Sequence, residues 1–235
     1  MLLRHSRLIA AASALLLSLA STAGAAVLWD QSNWNTLTEG SLNLSSNSCS
    51  AISGNTKVHT ASDVHFDAPV HITTIRIYET PGNVQTATLA YLWIAPKTGP
   101  LPTESSDQLE LPPTAVQVPI SSAIETIGPN SCVVVTAAGL NIDLPAGDYW
   151  VSLTPRHNLG VFPYTVHLVT TGPIVGDPTA AIVVGRLDAP SCGPVNSNWI
   201  NPLSPPSYDY AIKIEGDFTT PTVKSSWGSV KSIYR

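Results

Sequence analysis

The segment Tyr208-Asp209-Tyr210-Ala211-Ile212-Lys213-Ile214-Glu215 decides the fold class. Tyr208, Tyr210, Ile212 and Ile214 alternate with Asp209, Ala211, Lys213 and Glu215. A period of two describes a strand with one face in a core and the other in water. Upstream, Tyr149, Val151 and Leu153 alternate in the same way with Trp150, Ser152 and Thr154. Residues 72–78 (ITTIRIY) and 86–95 (TATLAYLWIA) are rich in the β-branched and aromatic side chains that strands favour. Shorter candidates lie at 27–29, 132–136, 140–144, 164–170 and 180–184, giving about nine strands. Turn signals separate them, among them Pro81-Gly82-Asn83, Gly128-Pro129-Asn130, Pro145-Ala146-Gly147-Asp148 and Gly172-Pro173.

No stretch has helical period and no repeat of fixed length is visible. The pattern predicts an all-β chain: one domain built as a two-sheet antiparallel β-sandwich. Long non-repeating connections at 96–114 and 189–207 suit a jelly roll better than a meander.

The chain has 235 residues, of which 43% are hydrophobic and only 11% charged. An average soluble domain is about 25% charged. That much apolar residue can build a core, so wholesale disorder is excluded. Met1 to Arg7 is short and basic, residues 8–20 form an apolar run, and Ala23-Gly24-Ala25 is a small-x-small site. This order predicts a signal peptide over 1–25, since a membrane anchor needs roughly 20 apolar residues. Residues 26–217 form the sandwich domain and 218–235 a flexible tail. No later stretch is apolar enough to span a bilayer, so the expected location is extracellular or at the cell surface. With Arg4 and Arg7 in the leader, nine basic residues face sixteen acidic ones in the mature chain. That balance argues against nucleic acid and anionic membranes as partners.

Export makes the three cysteines disulfide candidates. Cys132 opens the run Cys132-Val133-Val134-Val135, where a cysteine behaves as a small buried apolar residue. Cys49 and Cys192 lie in Ser/Asn/Gly/Pro-rich stretches and are the expected pair; three unpaired thiols are the alternative. A bridge closing so long a loop would stabilise by on the order of 4–5 kcal/mol in the entropic account.

Several landmarks resemble a recurring secreted bacterial jelly-roll domain of uncharacterised function. They are Leu28-Trp29-Asp30-Gln31, Ser62-Asp63-Val64-His65-Phe66, Ile72-Thr73-Thr74-Ile75-Arg76-Ile77-Tyr78, the stretch from Leu144 to Leu153, and Tyr210-Ala211-Ile212-Lys213-Ile214-Glu215-Gly216. The resemblance implies a two-sheet sandwich across most of residues 27–217 and transfers no catalytic residue. The ending Ser226-Trp227-Gly228-Ser229-Val230-Lys231-Ser232-Ile233-Tyr234-Arg235 resembles a short sorting-type segment of exported proteins. Trp227, Val230 and Tyr234 would share one face of a helix. The eleven residues from Ser225 to Arg235, with an internal glycine, are too few for a stable helix alone, so the segment is expected to order only on sorting machinery. A frayed terminus without a role is the alternative.

The chain has no G-x-S-x-G, H-E-x-x-H, P-loop, G-x-G-x-x-G or calcium-loop motif. No catalytic residue, metal ligand or cofactor is therefore assigned. His59, His65 and His71 recur every six residues, but six residues of strand span about 20 Å, too far to share an ion. They are expected at the surface or on a pleat. The loop residues Trp34 and Trp199, flanked by asparagines, are the candidate glycan-stacking side chains; plugging the ends of the sandwich is their other, commoner use. Trp93 and Trp150 lie in strands and should fill or flank the core. The functional expectation is an exported, non-catalytic surface or matrix module whose candidate partner is a glycan. The alternative is a secreted jelly-roll glycoside hydrolase or lyase, which needs two placed carboxylates that nothing in the sequence singles out.

Overall fold

The computed structural model describes residues 25–32, 37–42, 45–46, 56–81, 87–102, 114–127, 130–157, 166–170, 180–186 and 209–219. Among them the chain is all β. The strands are β1 (Ala26–Asp30), β2 (Leu37–Leu42), β3 (Ser45–Ser46), β4 (Thr56–Phe66), β5 (Val70–Glu79), β6 (Leu89–Pro96) and β7 (Val116–Pro119). They continue with β8 (Ser121–Ile127), β9 (Asn130–Leu144), β10 (Gly147–His157), β11 (Val166–Thr170), β12 (Ala180–Arg186), β13 (Asp209–Tyr210) and β14 (Ile212–Phe218).

Two sheets pack face to face. One runs β1-β14-β5-β9-β8, with β11 reaching the end of β5 and bringing β2 and β13 with it. The other runs β12-β4-β10-β6-β7, with β3 joining the end of β10 in parallel. The other pairings are antiparallel, and the principal ones are nested in sequence. Strand β6 pairs β7, β5 pairs β9, β4 pairs β10 and β1 pairs β14. Nested pairs alternating between two sheets are how a jelly roll winds. The outermost pair joins the two ends of the domain: Trp29 lies opposite Ile214, and Gln31 N–H donates to the Ile212 carbonyl at 2.8 Å. The first and last strands thus close the domain side by side.

The core follows the period-two pattern. Val64 and Phe66 of β4, Ile75 and Ile77 of β5, Tyr149, Val151 and Leu153 of β10, and Ile212 and Ile214 of β14 fill the space between the sheets. Each such side chain taken fully out of water is worth about 1.5–3 kcal/mol. Where 132–136 and 140–144 read as two strands, the structure has one, β9. Gly139, at φ +70°, absorbs a bulge opposite β5, where the register shifts between Ile72 and Thr74. A left-handed glycine lets the ladder bend instead of ending. Gly216 marks a second bulge, and a Cβ there would lie 2.0 Å from the His71 carbonyl oxygen.

Two sequence expectations are corrected. Strand β4 is absent from the period-two candidates because its inward positions include Thr60 and Ser62, which blur the alternation. His59, expected at a surface or pleat, is 3% exposed and hydrogen-bonds Thr154 Oγ1 through Nδ1 at 2.8 Å.

Candidate functional site

Polar, titratable and aromatic side chains concentrate on the outer face of the six-stranded sheet, turned away from the main core. Successive residues of a strand point to opposite faces. With Val64, Tyr149 and Val151 in the core, Asp63, His65, Asp148 and Trp150 necessarily face outward. The register aligns them: Asp63 lies opposite Trp150, Trp150 opposite Ala95, and His65 opposite Asp148.

That outer face is covered. Ala61, Trp93, Ala95 and Trp150 form a second apolar cluster, and Leu101 and Ala115 pack on it. Trp93 Nε1 donates to Thr114 Oγ1 at 3.1 Å. Both ends of the β6–β7 connection therefore press onto the sheet, and strand β10 is buried on both sides. Trp93 and Trp150 fill this second core, as expected of strand tryptophans.

Beneath the cover lies a second group of charges. Lys97 follows Ala95 by two residues and so projects from the same face. Its backbone N–H donates to the Asp148 carbonyl at 2.8 Å, which extends the β6–β10 ladder. Its stem crosses Trp150, with Nζ 5.3 Å from the ring centroid, and Nζ meets Asp63 Oδ2 at 2.8 Å. The stacked cation is attracted by the ring quadrupole, the more so where water is excluded.

Asp209 completes the group. It is fully buried. Its Oδ1 accepts the Tyr210 N–H at 2.7 Å, while Oδ2 has no hydrogen-bond partner. Burial pushes its carboxyl well above the ordinary range, and the charge of Asp63 adds to the push. The Tyr210 N–H, Lys97 and Ser62 pull the other way without prevailing. The two carboxyl groups therefore sit in different settings: Asp63 is paired with Lys97, and burial biases Asp209 toward its neutral form.

At the exposed rim His65 bridges two carboxylates, with Nδ1 2.6 Å from Asp148 Oδ1 and Nε2 3.1 Å from Asp67 Oδ1. The hydrogen bond to Asp148, then that to Asp67, raises its pKa above the ordinary value of 6.5. The stability this pair contributes is present below that value and is lost as pH rises through the raised one. His71 binds a different partner, Asp143 Oδ1 at 2.7 Å. The regular spacing of the histidines thus serves separate local pairs. Among the described residues no cluster of His, Cys, Asp or Glu could hold a metal ion.

Of the cysteines, Cys132 is buried and free, and burial pushes its thiol up to about 12, so it stays protonated and inert. Trp34, Trp199, Cys49, Cys192, Trp227, Val230 and Tyr234 lie outside the described residues. The group that sequence reasoning missed is Asp63, Lys97 and Asp209. Each sits beside residues read as strand or turn, and no local spacing links three positions so far apart. The one available signal was Lys97, a charged residue continuing the face that carries Trp93 and Ala95.

No protein-family model, no curated protein and no solved structure matches the chain.

Proposed function

We propose that the chain is an exported, non-catalytic β-sandwich module of the cell surface or extracellular matrix, with an extracellular glycan as its partner. What supports this reading is how the buried carboxylates are used. Asp63 is tied to Lys97, and Asp209 is fully buried. A polymer cannot reach a carboxyl that has no exposed surface. Trp34 and Trp199 supply the aromatic faces for the sugar. The basic–apolar–small leader directs export, the Trp227-containing tail directs sorting, and a Cys49–Cys192 bridge stabilises the exported form. A soluble-glycan array with wild type and Trp199→Ala tests the partner. Binding reduced at least tenfold in the variant is the expected result; no binding by wild type to any glycan would end the lectin reading.

One observation favours a second reading. A neutral carboxyl beside a charged one is the arrangement that glycoside hydrolases employ. If opening of the cover exposes Asp63 and Asp209, the pure protein turns over a polysaccharide and Asp63→Asn or Asp209→Asn abolishes the turnover.

A further inference from the structure

We propose that Lys97 and Asp63 condense to an intramolecular amide, a covalent cross-link between β4 and the end of β6 across β10, with Asp209 as the group that moves the proton. The inference goes beyond the module reading and does not depend on it.

Three observations carry it. The first is proximity: the amine nitrogen is already 2.8 Å from a carboxyl oxygen, with side-chain exposures of 13% for Lys97 and 7% for Asp63. Groups fixed at contact reach effective molarities of roughly 10⁵–10⁸ M, which turns a sluggish bimolecular condensation into a local one. The second is dryness. Trp150 lies under the ammonium, and Trp93, Ala61, Ala95 and Leu101 complete the apolar surroundings. An ion pair out of water carries a desolvation cost on both partners, whereas a neutral amide has only its polar groups to satisfy. Expelling water from such a site favours the amide over its hydrolysis. The third is a proton carrier. Asp209 is fully buried, has an oxygen without a hydrogen-bond partner, and lies close enough to feel the charges of both Asp63 and Lys97.

The step balances without any co-reactant. Through Asp209, a proton passes from the Lys97 ammonium to the Asp63 carboxylate, leaving a neutral amine and a neutral acid. The nitrogen lone pair adds to Asp63 Cγ and the C–N bond forms. A second N–H proton passes through Asp209 to the Asp63 hydroxyl oxygen, the C–O bond breaks, and water leaves. Asp209 ends as it began. One positive and one negative charge disappear together with one water.

Mass spectrometry of the purified full chain, after thiol reduction, decides. The expected result is an intact mass lower by one water than that of the same chain without the link. A digest should yield a branched peptide joining the segments that contain Asp63 and Lys97. Two linear peptides with the full mass would overturn the proposal. Lys97→Arg keeps the ion pair but cannot form this link, so its mass should be undiminished and its melting temperature lower by about 10 °C. Should that variant fail to fold, the wild-type digest still decides. Asp209→Asn should leave most chains unlinked; a wild-type yield of branched peptide from it would overturn the role given to Asp209.

Discussion

The outer faces of the two sheets carry similar charges in opposite surroundings. On the eight-stranded sheet, Asp30, Lys213, Glu215 and Arg76 form a ladder over β1, β14 and β5. Its contacts are 3.1 Å for Arg76–Glu215, 3.4 Å for Lys213–Asp30 and 3.8 Å for Lys213–Glu215. Asp30 keeps 41% of its side-chain surface in water. On the six-stranded sheet, Lys97 and Asp63 meet under a cover of apolar side chains. The difference teaches that the energetic weight of a charge pair is set by what overlies it. Water reaches the first set, whose side chains keep 17% to 41% of their surface, and pairs open to water are worth at most about 1 kcal/mol. In the second, each charge depends on the other, because removing one partner strands its mate in a dry site.

The largest expected effect tests this contrast directly. Lys97→Ala should destabilise by about 3–5 kcal/mol, since it leaves the Asp63 carboxylate buried and uncompensated. Lys213→Ala should cost only about 0.2–1 kcal/mol. Urea denaturation of both variants measures the two losses, and equal losses would break the comparison.

A backbone change probes the open sheet where its charges do not. Gly216→Ala would drive a methyl group into the His71 carbonyl across the β14–β5 bulge, and the ladder must shift to admit it. A loss of about 1–3 kcal/mol is expected, as for other overpacked sites. A loss within experimental error would show that this bulge yields freely.

The smallest effect is a slope. Burial raises the Asp209 pKa in the folded chain, so the native state binds more protons than the unfolded one once pH exceeds the ordinary value of 3.8. Its contribution is fully present below that pH and is lost as pH rises toward the raised folded value. Over that window stability should fall by up to about 1.4 kcal/mol per pH unit from this group. Asp209→Asn, which cannot ionise, should flatten the profile. A wild-type slope in the variant would assign the proton to another group.

Much of the architecture was legible because it depends on alternation alone. The pattern from Tyr208 to Glu215 placed Ile212 and Ile214 in the core, and the short apolar segment at 27–29 proved to be the neighbour of that strand. Trp93, Trp150 and Cys132 were legible as buried because each sits within an apolar strand. Strand β4 was not, since Thr60 and Ser62 face inward and Asp63 faces a second core. Its period-two signal assumes one dry face and one wet one.

By itself the sequence determined the fold class and which tryptophans are buried within strands. Those follow from local periodicity, and local periodicity needs only that every second side chain leave water. The tertiary structure alone decided that the outer face of the six-stranded sheet is covered, that Asp63 and Lys97 meet beneath that cover, and that the buried Asp209 lies within reach of their charges. Register between strands sets which distant residues become neighbours. The fold of a connection over a sheet sets how much water they keep. Protonation and reactivity depend on that distance and that water, neither of which is a property of any short stretch of chain.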